Sequence, residues 1–326
     1  MIIGRIAALV AITVLSACGG GSGGSGTAFI PSPPTDPDPP PANANIKIFE
    51  NPVAGEYATV GASIAAPGGN LDTFASPDTR FGSVSSQDPL QPHIRYSASG
   101  QYEVEMPGSS WDTLIHYKGL SNPGPENNYF QPASVAQNLG YVLTSNSRNS
   151  GYSYSELASW GSASAGRWGY MAFGSPTPAG AVPTTGTASF TGSVIGSTDI
   201  LIADLLYGGY APVGADGTVN LTFDFAGGSL SGSMSLNLID GSNRIPIGTF
   251  SFTDTLFSAG STTYSGRFNT ALTGTNFLLG RFTGPVAQET IGAWAIPFSF
   301  TNGTANLPAD SQTHQAFGAW IARRGN

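Results

Sequence analysis

From residue 183 onward the chain reads as eight short β-alternating segments joined by links that leave room for little more than a reversal of direction. The segments are 187–195, 218–225, 229–238, 247–255, 262–269, 276–282, 291–298 and 315–322. Most links carry turn residues: Ala-Gly-Gly at 226–228, Asp-Gly-Ser-Asn at 240–243, Ala-Gly-Ser at 259–261 and Leu-Thr-Gly at 272–274. Short links make sequential strands antiparallel neighbours. Val219, Leu221, Phe223 and Phe225 fall on one face, with Thr218, Asn220, Thr222 and Asp224 on the other; Met234, Leu236 and Leu238 repeat the pattern. Hairpin-linked strands in such a run expose two long edges unless the sheet closes. The expected fold is therefore all-β, with residues 183–326 forming an eight-stranded antiparallel up-and-down β-barrel. At that size the interior is filled by side chains or holds one small ligand. The outward positions carry Thr, Ser, Asn and Asp, with no apolar band or aromatic girdle, so the barrel is expected to face water rather than lipid.

Residues 46–182 are less regular. Short β-like runs at 46–49, 101–106 and 139–143 stand between long stretches of Ser, Asn, Gly and Pro, and Tyr-rich segments follow at 149–160 and 167–173. Residues 155–159 read as a turn at most, and no helix beyond a few turns is expected. The expectation is an irregular β domain ahead of the barrel. The chain has 44 Gly and 24 Pro, a composition that would indicate disorder if unpatterned, but in the C-terminal half the glycines recur between alternating runs. Charged residues make up 10% and the net charge is −8, which excludes a basic nucleic-acid footprint.

The N-terminus has the form of a processing signal. One positive charge precedes an apolar run at 6–14, too short to span a bilayer, and Leu15-Ser16-Ala17-Cys18 closes it. That tetrapeptide has the form of a bacterial lipobox, whose cysteine is diacylated. Cys18 is the single cysteine of the chain, so no disulfide competes for it. Residues 1–18 are thus expected to be a lipoprotein signal peptide ending at its lipid-attachment residue. Gly19 in the next position, rather than Asp, favours anchoring at the outer membrane. Residues 19–45 are a tether, a Gly/Ser coil followed by a Pro-rich spacer, with too little apolar content to fold.

Residues 280–294 combine Gly280, Phe282, Gly284, Pro285, Glu289, Gly292 and Trp294 in a strand–corner–strand pattern, because Pro285 cannot continue a ladder. The Gly-Arg-Phe-x-Gly-Pro-x-Ala-x-Glu element there resembles the C-terminal barrel of the surface lipoproteins typified by transferrin-binding protein B and factor H-binding protein. Residues 183–192, 219–232, Tyr264-Ser265-Gly266 and 314–320 match more weakly. The resemblance covers under half of the chain. It implies a "handle" β domain before the barrel, here residues 46–182. It also implies non-catalytic binding at the bacterial surface of a host protein, an iron or haem source or an environmental protein, with outer-membrane export machinery delivering the chain there.

Within the 280–294 block, Glu289 is expected to accept backbone N–H groups across the Gly284-Pro285 turn, and Phe282 and Trp294 to pack the barrel interior. Tyr141, Tyr152, Tyr154, Trp160, Trp168 and Tyr170 are candidate partner-binding aromatics, with packing of β faces as the simpler reading. His93, His116 and His314 lie far apart and lack metal-ligand spacing, so no metal and no obligatory cofactor is expected. His116-Tyr117 beside Trp111 is a conceivable haem-ligating pair. No nucleophile–base pair or phosphate loop points to catalysis. The alternative to a surface receptor is a carrier of haem or another apolar small molecule in the barrel or in the handle–barrel cleft. A protein-type or haem-type partner, a membrane reached through Cys18 and no nucleic acid complete the expectation.

Overall fold

A computed structural model describes residue 48 and residues 51–65, 83–116, 128–132, 140–144, 151–203, 210–301, 303–304, 307 and 310–325. The signal peptide, Cys18 and the tether lie outside the described residues.

The C-terminal half is a closed barrel of β10 (Thr187–Ala203), β11 (Tyr210–Asp224), β12 (Ser229–Asp240), β13 (Asn243–Leu256), β14 (Thr263–Phe268), β15 (Phe277–Thr283), β16 (Glu289–Phe300) and β17 (Asp310–Arg324). Each pairs antiparallel with the next, and β17 returns to β10 through registers such as Val194 with Trp320. Alternation explains the wall: in β10 and β11 the even and odd positions respectively are buried while their neighbours face water. Aromatic rings fill the interior at one end. Phe223 lies 4.7 Å from Phe282 and 4.9 Å from Tyr264, centroid to centroid, with Phe190, Phe225 and Phe257 around them. That end has no room for the ligand an eight-stranded barrel can otherwise hold.

The polar exterior expected of the barrel holds for β10–β12 but not for β15–β17. There both faces are buried. The outward Phe277, Leu279, Ile291, Ala293, Phe317, Ala319 and Ile321 pack against Ala58, Ala62, Ile64, Leu157, Trp168 and Ala172 of the N-terminal half. These strands are apolar at both parities, the mark of a strand covered on two sides.

The N-terminal half is one nine-stranded antiparallel sheet. Its strands are β1 (Gly55–Glu56), β2 (Ala58–Ala65), β3 (His93–Tyr96), β4 (Tyr102–Glu105), β5 (Trp111–His116), β6 (Asn128–Pro132), β7 (Gly140–Thr144), β8 (Ser155–Ser162) and β9 (Arg167–Gly174), in the order β1-β3-β4-β5-β6-β7-β8-β9-β2. Only Tyr57 separates β1 from β2. Glu56 pairs with Arg95 of β3, the Tyr57 N–H donates to the Ile94 carbonyl at 2.9 Å, and Ala58 pairs with Gly174 of β9. One extended segment therefore occupies both edges and rolls the sheet over a core of Ile94, Val104, Val142, Trp160, Met171 and Phe173.

Residues 155–159, expected to be a turn at most, instead open β8. Polar residues hide the pattern: Ser155 and Glu156 are buried, with the Ser155 hydroxyl 2.7 Å from Thr283 Oγ1 and the Glu156 carboxylate accepting the Leu157 N–H.

Candidate functional site

The 280–294 block proves to be the junction between the halves. Gly280 pairs with Gly292 across β15 and β16. A Cβ on Gly280 would stand 2.2 Å from the Tyr264 ring, and one on Gly292 would stand 2.0 Å from the Trp320 ring. The two glycines therefore make room for aromatic rings laid flat against the wall. Phe282 and Trp294 are fully buried in the barrel core. At the corner, Gly284 adopts φ +83°, and the Ser175 carbonyl accepts its N–H at 2.8 Å. Thr177 donates its hydroxyl to the Gly284 carbonyl and its N–H to the Phe282 carbonyl, so the link out of β9 runs beside β15.

Glu289 does accept backbone N–H groups, but not those of its own turn. Its two carboxylate oxygens take the Ser153 N–H at 2.7 Å and the Tyr154 N–H at 3.0 Å, both from the handle. The turn is served by Gln288, whose side-chain oxygen accepts the Val286 N–H. Burial pushes the Glu289 pKa up, opposed by the donors from Ser153, Ser155 and Tyr154 and by Arg323. Such a carboxylate is a clamp between domains rather than a ligand contact.

Five of the six candidate aromatics lie in the handle core or at the handle–barrel junction. Trp160 is fully buried in the handle core. Tyr152 and Trp168 are buried in the handle–barrel interface, where Trp168 meets Phe317 at 5.4 Å. Tyr170 is half-buried there and its hydroxyl meets Ser197 Oγ at 3.1 Å. Tyr154 is half-buried with its ring against Gly284. Tyr141 is half-buried on β7 and does not join the others in one patch. For Trp160, Trp168 and Tyr170 the physical reason is that β8 and β9 are inner strands covered on both faces. Of the conceivable haem pair, Tyr117 and the His116 side chain lie outside the described residues, and Trp111 has another partner.

That partner marks a surface the sequence reading missed. On the outward face of β3–β5 the Arg95 guanidinium lies 4.3 Å above the Trp111 ring and donates through Nε to Glu103 at 2.6 Å. In the neighbouring row His93 sits between Glu56, 3.0 Å from Nδ1, and Asp88, 3.1 Å from Nε2, with Glu105 paired opposite. Four carboxylates, one arginine, one histidine and one tryptophan gather here in a chain that is only 10% charged. They come from five separate strands or turns, so no spacing in the sequence brings them together. Hydrogen bonding and charge from Asp88 and Glu56 raise the His93 pKa to about 9.

A pKa raised above the ordinary histidine value means that protonated His93 stabilises the handle fully below about pH 6.5 and loses that contribution as pH rises through about 9. Amide exchange in β3–β5 is expected to accelerate between those limits beyond the intrinsic base-catalysed rate. His93→Gln is expected to remove the excess. An unchanged pH profile in that variant would rule the histidine out as its source.

Among the described residues no group of three or more His, Cys, Asp or Glu is placed to hold a metal ion.

No family model matches the chain, and no curated protein matches it. Solved structures are similar to it. Transferrin-binding protein B of serogroup B Neisseria meningitidis, isotype 1, is 15% identical with a TM-score of 0.40, over 82% of this chain and 43% of that one. A double mutant of transferrin-binding protein B from Haemophilus parasuis is 13% identical with a TM-score of 0.39, over 82% of this chain and 44% of that one. The haemoglobin receptor HpuA of Kingella denitrificans is 16% identical with a TM-score of 0.38, over 84% of this chain and 90% of that one. The chain thus spans less than half the length of these two transferrin-binding proteins.

Proposed function

We propose that this chain is a non-catalytic, outer-membrane-anchored surface lipoprotein that binds a protein partner through the outward face of β3–β5. The observation that carries this reading is Trp111 stacked beneath Arg95, with Glu103 bonded to the guanidinium and Glu105 paired opposite the ring. Trp and Arg are the residue types that dominate interface energetics, and a half-exposed Trp ring already held by a cation loses little freedom on docking. The excess of carboxylates on the face suits a partner that presents basic groups. Lipid attachment at Cys18 and delivery to the cell surface belong to the same proposal, as does capture of a host or environmental protein or of an iron or haem source.

The test uses residues 46–326 immobilised and exposed in turn to transferrin, haemoglobin and free haem. Binding to one of the two proteins that weakens about 30-fold or more in Trp111→Ala supports the face, since loss of an interface anchor costs roughly 2 kcal/mol or more. Equal binding by the variant overturns the assignment of the face. Stoichiometric uptake of free haem with no protein bound overturns the receptor reading.

A further inference from the structure

The charges on the outward face of β3–β5 do not cancel, and the remainder falls on one residue. Both ring nitrogens of His93 are taken, Nδ1 by Glu56 and Nε2 by Asp88. The Arg95 guanidinium is taken by Glu103, which accepts from both Nε and Nη2. Glu105 stands between these pairs, opposite His93 on one side and opposite Trp111 on the other. It has no cation of its own among the described residues. Residues directly opposite in an antiparallel ladder hold their Cβ atoms about 4.5–5.5 Å apart. The carboxylate of Glu105 and the indole of Trp111 therefore stand side by side, and both residues are half-buried.

A carboxylate beside an aromatic ring suits a flat cation. A guanidinium donates to the carboxylate while its plane lies against the ring, and Arg95 makes this arrangement with Glu103 and Trp111 inside the chain. Glu105 and Trp111 offer the same two groups to a side chain from outside. Resting on the assignment of β3–β5 as the docking face, we infer that the partner protein places an arginine here, its guanidinium donating to Glu105 and lying against the Trp111 indole. Lysine fits less well, because an ammonium is a point charge with no plane to lay on the ring. Partners that present phosphate, nucleic acid and anionic lipid among them, are opposed by four carboxylates set against Arg95 and His93 alone.

The experiment titrates the full chain with an octapeptide of alternating arginine and glycine, which in extended form sets its arginines on one side. Matched peptides carry lysine, or the uncharged isostere citrulline, in place of arginine. The Trp111 indole N–H resonance, identified by its loss in Trp111→Phe, reports occupancy. The expected result is a saturable shift with the arginine peptide, binding at least about threefold weaker with lysine, and no saturable shift with citrulline. Glu105→Gln is expected to weaken the arginine peptide about fivefold with an unchanged far-ultraviolet spectrum. Asp254→Asn, which removes the same charge from an exposed position on the barrel, is expected to leave binding as it was. Absence of a saturable shift, equal binding of the arginine peptide and either substitute, or indifference to Glu105→Gln would overturn the inference. The two assignments fail separately. If Trp111→Ala weakens transferrin or haemoglobin binding while Glu105→Gln alters neither that binding nor the peptide's, the face stands and the arginine site falls. If Trp111→Ala leaves protein binding as it was, the face falls and the arginine site with it.

Discussion

Replacing Glu289 by alanine is expected to detach the handle from the barrel while the barrel itself stays folded. The carboxylate is 4% exposed and accepts the Ser153 and Tyr154 N–H groups. Its removal leaves two donors at the junction without their acceptor, at roughly 1–3 kcal/mol each, so the total loss should be about 2–6 kcal/mol. Calorimetry should then resolve two transitions where the parent shows one, and amide protection should fall at 151–155 and in β2 and β9 while β10–β13 keep theirs. Glu289→Gln should fall between, because its amide oxygen serves one N–H and its NH2 opposes the other. Acid does not reproduce the effect. Burial raises the Glu289 pKa, so the pH-dependent part of its contribution is complete below the ordinary glutamate range and shrinks as pH rises through the raised value, while the two N–H bonds remain. A single transition of unchanged midpoint in Glu289→Ala would refute the clamp.

Gly292→Ala is expected to destabilise the barrel as severely, by a different route. The new methyl would stand 2.0 Å from the Trp320 ring and 2.5 Å from the Leu279 carbonyl. Trp320 is fully buried, and the carbonyl belongs to the paired strand β15, so neither neighbour yields without dragging others. Overpacking of this kind costs about 1–3 kcal/mol, and this site belongs at the upper end, which corresponds to a fall in melting temperature of roughly 10 °C. The double variant Gly292→Ala with Trp320→Phe, which withdraws part of the ring, should recover some of the loss. Failure to recover any would show that the ring contact is not the source.

The legible part of the molecule was the part built on one simple period. In β10–β12 a polar residue follows each apolar one and the links are short, so closure into a barrel followed from pattern and edge chemistry. Strands β15–β17 carried a second message in Phe277, Leu279, Ile291 and Phe317. Their parity, opposite to that of Phe282 and Trp294, announced a covered outer face, which the polar character of the other strands obscured. Glu289 stood out in the sequence, but its donors lie on residues 153 and 154, and only tertiary structure brings them to it. Aromatic clustering between residues 152 and 170 reads equally as surface or core, and burial of Tyr152, Trp160 and Trp168 comes from covering elements far away in sequence. Trp111, Arg95, Glu103 and His93 carry no local signature, because sheet register alone makes them neighbours.

The segment that occupies both edges of the handle sheet, residues 55–65, bears on how this chain resists force. It follows Ile48, which is buried in the handle core and donates its N–H to the Ser153 carbonyl. Tension applied along β1 and β2 is met by the ladders to β3 and β9. Rungs loaded in this way must yield together, not one after another as in an unzipping hairpin. The same arrangement delays assembly, since the first strand made waits for Gly174 before Ala58 has a partner. A pull transmitted past Ile48 therefore meets the handle where it is slowest to form and hardest to peel.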